Sequence, residues 1–264
     1  MRILKSFLCL LIFVSIVSAQ QETVVPIATT YYLLGGSQNG KWLTAEKTAP
    51  TMEKRTKMIL VTLKGIEKDE AVLEDTGEES GACPENKVMR LEPEIESGFA
   101  VGSNAKWNLV PRIPKLIAVT DKTYQKIAAD FLRTKGIAKT KINLSQTIQI
   151  DLEGDGQNEI LITGNFYKKG MTESQSAGDY SFALLRRTVK GRAQNTLIEG
   201  DFFRRGGSEY APPNERQILA VADLNGDGRM EFVLDTFYYE GNSKQVFEMK
   251  SGKPVKVLET ECYV

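Results

Sequence analysis

The chain contains no histidine among its 264 residues. Without imidazole, Ser-His-Asp and Cys-His mechanisms are excluded, and so are zinc sites that rely on a histidine ligand. Cysteine is scarce as well. Cys9 lies near the N-terminus, which leaves Cys83 and Cys262, too few for an all-cysteine zinc site. Neither sign of charge is in excess, with 34 basic and 34 acidic residues. Such a balance lacks the basic face that nucleic acid or an anionic membrane requires. The runs Glu67-Lys68-Asp69-Glu70 and Glu78-Glu79 are mixed or short and read as solvated loops. Long apolar runs are missing too. The one candidate, residues 7–17, is about half of the ~20 residues needed to span a bilayer.

That short run has its own meaning. It follows a basic start (Met1, Arg2, Lys5) and ends at Val17-Ser18-Ala19, with small side chains at the positions a signal peptidase inspects. The pattern is that of a secretory signal peptide over residues 1–19, in preference to a membrane anchor. Cys9, preceded by Phe7 and Leu8, does not fit a lipid-attachment site. Cleavage after Ala19 removes two basic residues and no acids, giving a secreted chain with a net charge of −2. Export would place Cys83 and Cys262 in an oxidising compartment, where a disulfide between an N-terminal loop and the C-terminal tail is expected over two free thiols.

The patterning predicts a mainly β chain. Residues 20–118 form a β-rich N-terminal region. There, residues 29–34 and 41–44 read as strands ending at Gly35-Gly36 and joined through a Gln38-Asn39-Gly40 turn. Residues 58–63 and 70–73 flank a Lys-Gly turn, and 99–102 with 107–110 read as another short pair. Residues 119–136 form a helix at the junction. Tyr124, Ile127, Ala128, Phe131 and Leu132 recur with a 3.6-residue period, Thr120 or Asp121 can cap the start, and Gly136 can end it. Its apolar face is expected to pack on a sheet, and its basic residues to form its wet face.

Residues 137–264 repeat themselves. Two acidic loops, 151–159 and 223–231, lie 72 residues apart, each between apolar β-rich runs. A hairpin follows each, 180–189 with 196–203 and then 245–249 with 255–259. Each copy, about 142–210 and 215–264, thus reads as about four antiparallel strands, the content of one propeller blade.

The loops have calcium-binding chemistry. A hard cation takes six to eight oxygens, many from short carboxylates on a tight loop. In the first loop Asp151, Glu153 and Asp155 alternate, Gly156 allows the sharp turn, the carbonyl of Gln157 supplies a neutral ligand and Glu159 closes the site. In the second the same places are held by Asp223, Asn225, Asp227, Gly228, the carbonyl of Arg229, and Glu231. The first loop departs at Glu153, one methylene longer than the usual Asp or Asn. An EF-hand is rejected, because its twelfth position needs a carboxylate and here holds Ile162 and Leu234, and its flanks should be helical. Two Ca2+ ions acting as strand-to-strand clips are therefore expected.

At these residues the chain resembles the calcium loop and following strand of FG-GAP/VCBS repeats, as found in integrin α-type propellers and many secreted bacterial proteins. The resemblance covers about residues 142–264. It implies propeller-like β-repeats and the ten ligand positions just named, and it implies no activity, since such repeats occur in adhesion proteins, carbohydrate-associated proteins and enzymes alike. A closed propeller needs about four blades, and only two marked repeats are visible.

Two functions follow as alternatives. One is a non-catalytic module binding a protein or glycan, with Tyr167, Phe237, Tyr238 and Tyr239 as candidate contacts; cross-strand packing is the competing reading for these aromatics. Trp42 and Trp107 read as core. The other is a hydrolase or lyase using carboxylates such as Glu199, Asp201, Glu209 or Glu240, although nothing in their spacing singles out a pair.

Overall fold

The computed structural model describes residues 23–75, 83, 86–92, 99–170, 172, 174–206 and 213–263. The proposed signal segment lies outside these residues. The described chain is mainly β, in three antiparallel sheets. The N-terminal sheet has seven strands: β1 (Val25–Thr29), β2 (Leu33–Gln38), β3 (Lys41–Thr44), β4 (Thr56–Thr62), β5 (Gly65–Asp75), β6 (Met89–Glu92) and β7 (Phe99–Gly102), in the order β3-β2-β1-β7-β4-β5-β6. A short helix, α1 (Ala45–Thr48), and a 3-10 turn (Ala49–Thr51) follow β3.

The second sheet combines β8 (Lys115–Leu116), β9 (Leu144–Ile150), β10 (Glu159–Phe166), β11 (Tyr180–Val189) and β12 (Arg192–Phe202), in the order β12-β11-β10-β9-β8. The third is a meander of β13 (Glu215–Ala222), β14 (Glu231–Tyr238), β15 (Gly241–Lys250) and β16 (Lys253–Tyr263). The two sequence repeats are therefore two four-stranded antiparallel units, as the 72-residue offset implies, and the first gains β8 as a fifth strand.

The sheets stack face to face with the third in the middle. Ala220, Ala222, Val233 and Val246 on one face of it meet Ile27, Leu34, Val61 and Val101 of the N-terminal sheet. Val221, Phe232, Leu234 and Phe247 on its other face meet Ile148, Leu161, Ala183 and Leu185 of the second sheet. Burial on both faces explains why 218–222 and 232–234 are unbroken apolar runs and not alternating ones. Phe232 and Phe247 stack 5.2 Å apart inside this core, and burying each ring contributes about 1.5–3 kcal/mol.

Helices close both ends of the stack. The long helix, α2 (Lys122–Thr134), forms where the periodicity places it. Asp121 caps it by accepting the amide of Thr123 at 2.8 Å, and Gly136 follows it with φ +84°. Its buried residues Ala128, Phe131 and Leu132 cover Ile162, Tyr180, Phe182 and Leu184 on the outer face of the second sheet. Ala45, Ala49 and Met52 cover the outer face of the N-terminal sheet. Among the described residues, no helix is long and apolar enough to cross a membrane.

Three strand expectations fail. Residues 67–70, expected in a loop, lie within β5. Residues 29–34 are split, because the chain turns after Thr29 and restarts at Leu33. Gly35 and Gly36 then lie within β2 and do not end it. A Cβ at Gly35 would meet the Leu43 carbonyl at 2.3 Å, so the glycine permits close strand approach. Residues 99–102 do not pair with 107–110. Strand β7 inserts between β1 and β4, and residues 107–110 run irregularly toward the acidic loops. Cys83 and Cys262 form the expected disulfide, with Cα atoms 5.4 Å apart.

Candidate metal loops

Each acidic loop joins two neighbouring strands, β9 to β10 and β13 to β14. Their folds are the same in detail. In the first, Asp151 accepts amide hydrogens from Gly154 at 2.7 Å, Asp155 at 3.2 Å and Gly156 at 2.9 Å. In the second, Asp223 accepts from Gly226 at 2.7 Å and Gly228 at 2.9 Å. The side chains of Asp155 and Asp227 each accept the amide two residues on, at 2.8 Å. Glu159 reaches back to the amide of Leu152 at 3.0 Å, and Glu231 to that of Leu224 at 2.8 Å. The four glycines have φ between +73° and +83°, a region where side chains with a Cβ are strained.

The loops lie side by side. The amide of Met230 donates to the Leu152 carbonyl at 2.8 Å, a direct main-chain link between them. Arg112, in the irregular segment before β8, bridges both. It donates to the carbonyls of Asp151 at 2.6 Å, Leu152 at 3.4 Å and Gly228 at 3.0 Å. No expectation from sequence included it. The available signal was a lone base between Pro111 and Pro114, in a segment already unfit for a strand.

The third position separates the loops. Asn225 is buried and accepts the amide of Asp227 at 2.9 Å, within its own loop. Glu153 turns away. Its carboxylate lies 3.4 Å from the guanidinium of Arg187 on β11, which crosses the β15–β16 turn where Gly252 leaves room. The extra methylene thus carries Glu153 to a neighbouring cation. The first loop is left with Asp151, Asp155 and Glu159, the same three carboxyl positions as Asp223, Asp227 and Glu231.

The second loop is also held more firmly. Trp107 donates its indole N–H to the Asp223 carbonyl at 2.8 Å and lays its ring on Gly226, and Ser37 donates to the Leu224 carbonyl at 2.8 Å. Trp107 was expected as core and is half-buried in this supporting role.

Burial puts these acids in an unusual state. Asp223, Glu231 and Glu159 are 3%, 1% and 4% exposed, and their hydrogen-bond partners among the described residues are backbone amides, with no basic side chain. Desolvation pushes the Glu231 carboxyl up to about 9, and the nearby Asp227, Asp223 and Glu248 add to the shift. Desolvation likewise raises Asp223 and Glu159 above the usual carboxylate range. Among the described residues, no three acidic or cysteine side chains gather in metal-ligating geometry. The carboxylates are turned onto the loop amides. Each ionised carboxylate has about four acceptor sites, so the one to three amide bonds made here leave lone pairs for a cation. An oxygen-only donor set of this kind is the type that hard cations take.

The other candidates are dispersed. Glu199 and Asp201 share a face of β12 and both engage Arg216, at 3.5 and 2.8 Å, clamping the second sheet to the third. Glu240 lies in the turn between β14 and β15, and Glu209 lies outside the described residues. Among the described residues, no acid–base pair emerges from these positions. The hydroxyl of Tyr167 bonds Asn214, and that of Tyr238 bonds Ser243 and Glu261, so both hydroxyls are engaged within the fold. Phe237 and Tyr239 remain exposed. Compared with known proteins, the chain matches no family model, no curated protein and no solved structure.

Proposed function

We propose that the chain is a secreted, calcium-stabilised β-repeat module whose role is to bind a protein or glycan partner, not to catalyse a reaction. The observation that carries this reading is the pair of matched loops with buried carboxyls that no basic side chain neutralises. One Ca2+ in each loop would supply the missing positive charge. Asp151, Asp155, Gln157 and Glu159 would hold one ion, and Asp223, Asn225, Asp227, Arg229 and Glu231 the other, with Gln157 and Arg229 acting through their carbonyls. Glu153 would join the first site only by leaving Arg187. The strand–loop–strand setting of both loops supports kinship with FG-GAP/VCBS repeats, and the disulfide supports an oxidising compartment. In this reading the three stacked sheets are blade-like, with α1 and α2 in the places that further blades would take.

Calcium that binds only the folded state stabilises by mass action, by about 2.7 kcal/mol per site at a hundredfold excess over Kd. Chelation of both ions is therefore expected to lower the melting temperature by about 10–20 °C, taking about 2–4 °C per kcal/mol for a chain of this size. Calorimetric scans with and without chelator make the test, and an unchanged melting temperature overturns the calcium reading.

A further inference from the structure

A second feature lies on the opposite face of the second sheet from the third sheet. Strand β12 is the outermost strand of its sheet and spans Arg192–Phe202 without a proline. Exposed edges of this length invite pairing with another chain and are normally blunted. The edges of the third sheet are blunted. On β13, the Gln146 side chain accepts the Ile218 amide at 2.6 Å and donates to its carbonyl at 3.0 Å. On β16, Asn86 donates to the Glu261 carbonyl at 2.8 Å, beside the disulfide. On β12, no side chain or further strand closes the outer backbone groups among the described residues.

A groove runs beside this edge, between β12 and the C-terminal half of α2. A cavity of ≈ 640 Å3 is lined by Lys135, Leu197, Gly200, Phe202, Arg204 and Arg205. A second of ≈ 320 Å3 adjoins it through Lys135 and Leu197 and extends to Asp130 and Phe131. The floor is apolar and aromatic, with Phe131 and Phe202 centred 5.9 Å apart. The Lys135 ammonium lies over both rings, at 5.4 and 5.6 Å. The rim is basic. Lys135, Arg204 and Arg205 face the groove, while its one acid, Asp130, is already paired with Lys126 and Arg133.

We propose that this groove binds an extended acidic peptide of a partner protein, which adds to β12 as a further strand. Strand addition to an open edge draws affinity from main-chain hydrogen bonds and specificity from pockets for alternate side chains. Here apolar side chains of the peptide pack over Leu197 and Phe202, and acidic ones meet Lys135, Arg204 and Arg205. The proposal rests on the chain being a binding module, but not on calcium. It also relocates the binding site from the neighbourhood of the acidic loops to the far side of the second sheet.

The test uses the full chain in calcium buffer and fluorescein-labelled peptides of alternating valine and threonine flanked by glutamates, by anisotropy. Three results are expected. The peptide binds, whereas its lysine-flanked counterpart does not. Arg205→Glu weakens binding at least tenfold at an unchanged melting temperature, with Lys135→Glu as a second variant. N-methylation of alternate peptide amides abolishes binding in one of the two registers, because those amides pair with β12. No binding, equal binding of the lysine peptide, or undiminished binding after N-methylation in both registers overturns the proposal. Failure here with calcium stabilisation intact would remove the groove assignment and leave the calcium reading standing.

Discussion

The loops at 151–159 and 223–231 share a backbone and differ in what surrounds them. Both wrap their amides around a leading aspartate and return a glutamate to the second residue. The second loop belongs to the central sheet, and Trp107 and Ser37 seat it against the N-terminal sheet. The first belongs to an outer sheet. It is more open to solvent, and its third-position acid is bound to Arg187. The difference teaches that a loop's ligand set depends on its neighbours as well as its own spacing. Asn225 is too short to leave its loop, whereas Glu153 is long enough to be captured by a base outside.

This comparison orders the expected effects of substitution. The largest is at the leading aspartates. Asp223→Ala strips the amides of Gly226 and Gly228 of their charged acceptor and should cost about 3 kcal/mol even without calcium, at about 1.5–3 kcal/mol for each hydrogen bond to a charged group. Asp151→Ala, in a wetter loop, should cost about half as much. Urea denaturation in chelator measures both, and equal costs would break the asymmetry. Next is Arg112, the element the loops share. Arg112→Ala is expected to cost about 2 kcal/mol, as a charged donor bonding several carbonyls, and to weaken calcium binding at both loops. An effect confined to one loop would show that the bridge does not couple them. The smallest effect sharpens the comparison directly. Glu153→Asn combined with Arg187→Leu gives the first loop the ligand types of the second. Its calcium affinity should rise about tenfold, or about 1.4 kcal/mol, in competition with a chromophoric chelator. No change would mean that the third position does not set the difference.

The repeats and α2 were legible because their signals are local. The 72-residue offset, the glycine-turned acidic loops and the 3.6-residue period each lie within a short window. The N-terminal sheet was not, because its order depends on β7 entering between β1 and β4, a pairing across more than 35 residues that no local pattern marks. The loop spacing was readable, but the turn of Glu153 toward Arg187 was not. Nor were the loops' supports: Arg112, Ser37 and Arg187 act on loops far away in sequence, and Trp107 looked like any core tryptophan. The groove beside β12 was equally hidden, since it exists only once α2 lies across the second sheet.

The most direct test of the account is calorimetric titration of calcium into the stripped wild-type chain and its Asp223→Ala and Asp151→Ala variants. The account predicts two equivalents in the wild type, with the tighter one lost in Asp223→Ala and the weaker one lost in Asp151→Ala. No calcium uptake by the wild type, or uptake that both substitutions leave intact, would contradict it.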